Sequence, residues 1–139
     1  MSNTRLPPDL WAPRAHALLR IVTGYLFLLH GSAKLLGFPH VASFDHVSLA
    51  SLIGVAGLLE LVGGALVMVG LFVRPVAFIL SGEMAVGYFM AHAPQSFFPL
   101  LNHGDGAILY CFVFLYLVFA GPGPWSLDAL IWRRDRRET

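Results

Sequence analysis

Long apolar stretches broken by glycine and proline dominate this chain, and their pattern predicts four helical spans. The first covers residues 15–36 and ends at Gly37-Phe38-Pro39. The second covers 49–73 and the third 75–91, joined through Arg74-Pro75, where Pro75 suits the first turn of a helix. The fourth covers 105–120 and stops at Gly121-Pro122-Gly123-Pro124. It falls short of the ~20 residues a span usually needs, a deficit that packing against longer neighbours accommodates. Residues 1–14 carry Pro7, Pro8 and Pro13 and are predicted to be a non-helical lead-in, with Trp11 at a membrane interface. Residues 40–48 and 95–103 are predicted loops, the second aromatic and interfacial. The expected fold is an all-α integral membrane protein: an antiparallel four-helix bundle over residues 15–128, followed by a basic tail at 129–139.

Composition supports the membrane assignment. The chain is 57% hydrophobic and 12% charged, against roughly 45–50% and 25% in soluble domains. Its mean hydropathy is +0.71. The net charge of +1 excludes a bulk attraction to nucleic acid. A single cysteine, Cys111, precludes an intramolecular disulfide and a thiol-exchange pair, and fits a small packing residue. The first run leads into His30-Gly31-Ser32-Ala33-Lys34, which is no small-x-small cleavage site, so a removable signal peptide is not expected.

The charges are few and informative. With four spans, both termini and the Arg74 turn share one side, and eight of the nine basic residues gather there; only Lys34 lies toward the other. The positive-inside rule then places both termini in the cytoplasm of a bacterial inner membrane. Arg20, His30, Lys34, Glu60, Glu83 and His92 sit within or at the ends of the apolar runs. A charge in hydrocarbon costs at least ~2.5–3.5 kcal/mol and persists when it is paired or lines a polar cavity.

Arg20, Gly24, Phe27, Gly31 and Lys34 share one helix face, with His30 one position off it. Lys34 and His30 lie toward the outer end and Arg20 in the inner half, where snorkelling is the plain alternative. Glu60 stands ~16 Å into its span and must find a cation or take up a proton. Arg20, Glu60 and Glu83 are candidates for structural ion pairing. Glu83 and His92 are half a turn out of phase and cannot line the same cavity on a regular helix. Asp105 or Asn102 would cap the fourth span, and Asp105, Leu109, Phe112 and Tyr116 form one stripe that, if inward, brings Asp105 to the level of Lys34. The expected substrate-binding cluster is His30, Lys34, Glu60 and Asp105, with His92 and His103 nearby, opening to the outer leaflet under a lid of Phe97 and Phe98. Carboxylates and imidazoles at such depth suit proton relay. Histidines also permit haem or metal, but no H-x-x-E-H pattern is present and no metal site is expected.

Several pieces resemble the DoxX family of small four-span membrane proteins. They are Leu19-Arg20, His30-Gly31 with Lys34 and Gly37, Glu60-Leu61-Val62-Gly63-Gly64, and Gly70-Leu71-Phe72-Val73-Arg74. His92-Ala93-Pro94, Asn102 to Asp105, and Gly121-Pro122-Gly123 through Asp128 complete the set. The family often has Glu where this chain has Asp105. The resemblance implies an oxidoreductase, because the family takes its name from quinone-linked thiosulfate oxidation. The expected function is a membrane subunit of a quinone-linked redox system, with quinone as cofactor, His30 and Lys34 donating to its head group and Glu60 accepting or relaying protons. Redox partner proteins and a homo-oligomer are the implied partners besides the bilayer. No dinucleotide fingerprint is present. Two other classes stay open: a permease or channel for a small solute or proton, with a path through Arg20, Glu60 and Glu83, and an assembly or scaffold protein.

The orientation is tested by reporter fusions at Thr139 and near Asp45. A cytoplasmic signal at Thr139 with an outward signal at Asp45 is expected; the reverse pattern overturns the orientation and the outward placement of Lys34.

Overall fold

In the computed structural model, residues 8–135 are described, and side chains from 10 to 132. The described residues contain six α-helices and no strand: α1 (Pro8–Leu36), α2 (Leu52–Val69), α3 (Val73–Gly87), α4 (Pro99–Asn102), α5 (Asp105–Ala120) and α6 (Leu127–Asp135), with a 3-10 turn at Ala42–Phe44. By length and composition, α2 alone is long and apolar enough to cross a bilayer, with a mean hydropathy of 2.3 over 18 residues. Helix α5 is apolar but shorter, and the apolar run of α1 is interrupted by Arg20, His30 and Lys34.

Helices α1 and α2 are held together by an antiparallel glycine seam. A Cβ on Gly24 would stand 2.5 Å from Met68 N, and one on Gly64 2.5 Å from Leu28 N. A Cβ on Gly31 would run into the Leu61 amide and the Gly57 carbonyl. Real carbon atoms do not approach so closely, so backbone packs on backbone only because these positions lack side chains. Helices α3 and α5 form the second antiparallel pair, joined where Ser81 Oγ donates to the Cys111 carbonyl at 2.9 Å. The pairs close over Phe27, Val67, Val73, Ala77, Leu80, Phe114 and Leu117. Phe27 meets Phe114 edge-on, with ring centroids 4.8 Å apart.

The ends of the helices are sealed by side chains from elsewhere in the chain. Helix α2 starts on Ser51, whose Oγ accepts from Gly54 N at 3.1 Å, and ends at Gly70 in the left-handed region, φ 76°. Arg20, fully buried, donates from Nη1 to the Val67 and Met68 carbonyls at 2.8 and 2.7 Å. Its Nη2 donates to the Trp125 carbonyl at 2.7 Å. Arg74 does the same for α5, reaching the carbonyls of Val118 and Phe119 at 2.7 and 2.9 Å. His16 Nε2 donates to the Gly121 carbonyl at 3.0 Å, so its Nδ1 is free to accept from Tyr116 Oη. At the start of α3, the Asp128 carboxylate accepts from the amides of Phe72 and Val73 at 3.0 and 3.1 Å. Cations at helix C-termini and a carboxylate at an N-terminus match the helix dipole.

Several boundaries differ from the sequence pattern. Residues 8–14 are helical, continuing α1 downward. Pro8 occupies the first helical position, where it lacks only an amide that has no partner anyway, and Pro13 forfeits one further bond inside the helix. Helix α1 is thus about 43 Å long at 1.5 Å per residue. Helix α2 is shorter than expected at both ends, since Ser51 caps it and Gly70 turns it. The third span reaches His92, close to the expected end at 91, but its last turn, Tyr88–His92, is π-helical and not α-helical. The following loop contains the single turn α4, whose fully buried Asn102 donates to the Ser96 carbonyl and accepts from Gly104 N. Gly104 holds the N-cap position of α5, and Asp105 is its first residue. The basic tail was expected to hold Arg133, Arg134, Arg136 and Arg137; the side chains of the first two and all of the last two lie outside the described residues.

The glycine seam makes a sharp prediction. Gly64→Leu should destabilise the protein by ~3 kcal/mol or more, because the side chain meets backbone and not a movable tip. Gly82→Ala, where a Cβ meets open space, should be neutral or stabilising by up to ~1 kcal/mol. Thermal unfolding in detergent reads both. Equal effects would mean that the seam does not hold α1 to α2.

Candidate functional site

Antiparallel packing brings one polar layer across the helices. Lys34 Nζ on α1 donates to Glu60 Oε1 on α2 at 2.6 Å. Glu60 is 2% exposed. The level of α3 follows from Gly63, where an added Cβ would stand 2.8 Å from Leu80 Cδ2. Three residues onward in opposite directions, Glu60 and Glu83 stand at the same height. The electrostatics agree, since Glu83 lies in range of both Glu60 and Lys34, and Glu60 in range of His30. Tyr110 of α5, next to the Cys111 position that Ser81 fixes, lies in range of Glu60. Its ring meets Phe27 at 5.2 Å and His30 at 5.9 Å between centroids.

The layer is not fully satisfied. Glu60 Oε2 and both Glu83 carboxyl oxygens are buried and have no hydrogen-bond partner among the described residues. Buried polar atoms without partners are rare enough to require a reason. Charge gives one: a single lysine cannot neutralise two carboxylates in a low-dielectric interior, so the second needs a proton or a ligand that donates. Lys34 Nζ also sits 5.8 Å over the ring of Phe44, from the loop after α1. His30 donates from Nδ1 to the Leu26 carbonyl at 2.8 Å. In the neutral ring this leaves Nε2 as a bare acceptor, and the residue is exposed.

The remaining sequence candidates lie elsewhere. Asp105 is exposed at the start of α5, and the stripe it begins faces outward: Leu109, Phe112 and Tyr116 are 67%, 64% and 47% exposed. The inward face of α5 carries Tyr110, Phe114 and Leu117 instead. Helix α5 is apolar on every side, so periodicity could not distinguish its faces. His103 is exposed, with φ 56°, and His92 donates from Nδ1 to the Asn102 carbonyl at 2.8 Å, tying the π turn to α4. Phe97 and Phe98 are 88% and 61% exposed and cover nothing in the layer. Arg20 binds carbonyls at the opposite end of α2 and is not ion-paired with Glu60 or Glu83. Asp128 acts on it electrostatically from the α3 cap.

Tyr110 was not singled out by the sequence pattern, and Glu83 stood there as a pairing residue only. The spacing that reveals both is the antiparallel register, in which one contact per helix pair fixes the level of every other residue.

A helical protein of membrane type is defined by these features: apolar helices, lipid-like outer surfaces and an ionisable interior. The chain belongs to the DoxX family, whose sequence profile matches residues 15–93. It is 45% identical over 122 residues to an uncharacterized protein of Haemophilus influenzae, covering 85% of this chain and 91% of that one. It is 27% identical over 118 residues to a Bacillus subtilis protein that bears the name "Putative oxidoreductase CatD", covering 84% and 86% respectively. No solved structure matches the chain.

A double-mutant cycle tests the Lys34–Glu60 bond. Glu60→Gln or Lys34→Met alone should cost ~3–5 kcal/mol by stranding the other charge. The double variant should cost clearly less than the sum, read by thermal unfolding in detergent; strict additivity would break the pair.

Proposed function

We propose that this protein is an integral four-helix bundle of the bacterial inner membrane, with both termini cytoplasmic, and the membrane subunit of a quinone-linked oxidoreductase system. Helices α1, α2 and α5 and the continuous path of α3 with its π turn would be the four spans. Each carries large apolar side chains outward, such as Val22, Val62, Phe78 and Phe119, at 51%, 51%, 67% and 74% exposure. Hydrocarbon is the environment that suits such a belt.

One observation carries the redox reading: the layer of Lys34, Glu60 and Glu83 holds three buried carboxyl oxygens without partners beside a lysine with N–H groups to spare. A quinone head group is a flat ring with two carbonyl acceptors, and the residues present fit it. Lys34 would donate to one carbonyl from an N–H not given to Glu60. Glu83, holding a proton, would donate to the other. Phe27 and Tyr110, in contact with each other at 5.2 Å between centroids, would form one apolar wall beside the ring, since apolar walls with a few fixed polar groups are what such ligands require. When bound, a quinone takes up two electrons and two protons. The protein's part is to orient the head group, shield it and hold a proton at a Glu83 or Glu60 oxygen; His30 Nε2, on the exposed side, would take up a proton from outside and pass it on to refill that oxygen. Electrons would come from a partner protein. The similarity to the Bacillus subtilis protein adds weight to an oxidoreductase role.

A permease path through Arg20 is less favoured. That side chain is committed to the carbonyls of Val67, Met68 and Trp125, and moving it would open the end of α2.

The test is binding. A short-chain ubiquinone or menaquinone analogue at about 100 times its Kd should stabilise the detergent-purified protein by about 2.7 kcal/mol. Lys34→Met and Glu83→Leu should each abolish that shift. Proton or solute flux in proteoliposomes without redox partners, combined with no quinone effect, would replace this reading by the permease.

A further inference from the structure

Helix α6 sits far from the polar layer and takes no part in it. It is fastened to the Arg20 end of the protein: Asp128 seals the start of α3, and its own amide donates to the Gly70 carbonyl at 2.9 Å. Ser126 begins the helix, accepting from Ala129 N at 3.2 Å. So held, α6 leaves Leu127, Leu130, Ile131 and Trp132 41%, 62%, 50% and 66% exposed. Leu127, Leu130 and Ile131 share one face by their spacing. Beside that face lies a cavity of about 360 Å³, lined by Val69, Pro124, Trp125, Leu127, Ala129 and Leu130, with Ser126 its one polar side chain. It opens where α2 ends. The sequence beyond Trp132 then carries Arg133, Arg134, Arg136 and Arg137 against Asp135 and Glu138.

We infer that this cavity and the exposed face of α6 bind an anionic phospholipid of the cytoplasmic leaflet. The inference rests on the membrane placement given above, but not on the quinone reading. Three features point to this one partner. The notch is apolar and lies at the end of a span, the depth of an acyl chain's first carbons. Trp125 lines it and Trp132 stands exposed further along α6, and an indole ring with one polar edge favours the boundary between acyl chain and headgroup. The excess of arginine immediately beyond supplies the complement of a phosphate headgroup, as basic clusters next to membrane helices do. A soluble acidic protein would satisfy the arginines but leave the notch and the leucines uncovered.

The experiment uses full-length protein with Trp11→Phe and Trp125→Phe, so that Trp132 is the sole tryptophan. Trp125 contributes its backbone carbonyl to Arg20, which phenylalanine retains. The protein is reconstituted in phosphatidylcholine vesicles doped with about one-tenth brominated phosphatidylglycerol or, separately, brominated phosphatidylcholine. Trp132 fluorescence should be quenched at least about twofold more by the anionic lipid, through selective occupancy. Arg133→Glu with Arg134→Glu should erase the difference. Equal quenching by both lipids overturns the selectivity and with it the proposal. Absence of quenching by either places α6 off the bilayer and leaves its face to a protein partner. Alkaline carbonate extraction of the same sample separates these failures from failure of the membrane placement, because a bundle that spans the bilayer stays in the pellet whatever α6 does.

Discussion

The close approach of α1 to α2 governs the rest of the structure. With Gly24 against Gly64 and Gly31 against Gly57, the two backbones touch, and only one register allows it. That register puts Lys34 beside Glu60 at one end and Arg20 beside the last carbonyls of α2 at the other. Both charged groups are on the same face of α1 as the glycines. A slip of one turn would leave a buried guanidinium without acceptors and a buried carboxylate without its lysine. In a low-dielectric interior each of those errors costs more than any single packing contact gains. Sterics permit the register and electrostatics penalise the alternatives, so the two act on the same choice.

Much of this was legible in the chain. Helical spacing of Arg20, Gly24, Phe27, Gly31 and Lys34 marks the inner face of α1, because small and charged residues contrast with the outward-facing leucines around them. The same test fails for α5, where the inward Tyr110, Phe114 and Leu117 and the outward Leu109, Phe112 and Phe119 are chemically alike. Nothing in a uniformly apolar helix distinguishes protein from lipid as its neighbour. Asp105 was misplaced for that reason. Arg20 was taken for a partner of carboxylates because a charge pattern shows the charged residues and hides the backbone carbonyls, which are the acceptors that Arg20, Arg74 and His16 actually use. The helical start at Pro8 was hidden by proline's usual role as a breaker, which its tolerance in a first turn reverses.

Polar chemistry in this protein falls into two kinds. At the Arg20 end nearly every polar side chain closes a helix terminus, and of its buried polar atoms Arg20 Nε alone lacks a partner among the described residues. In the Lys34 layer the polar groups outnumber their partners. Satisfied groups fix a structure, whereas groups left wanting can still bind something. The contrast separates architecture from site on grounds internal to the molecule, with Glu83 on the second side of the line although its helix is otherwise ordinary.

The seals on α2 and α3 have a consequence for how the chain matures. The middle hairpin, residues 52–87, receives its Arg20 cap from the first helix but its Asp128 cap from the last. Chain synthesis delivers these two halves at opposite ends of translation. While the ribosome is still making α5, the amides of Phe72 and Val73 have no carboxylate to meet, and one Arg20 nitrogen still lacks the Trp125 carbonyl. The hairpin can pack early against α1 through its glycines, yet its turn stays open until residue 128 arrives. Closure of the turn between α2 and α3 is thus tied to a segment made after both of the helices it joins, so the hairpin's packing and its capping are separate events in the maturation of the chain.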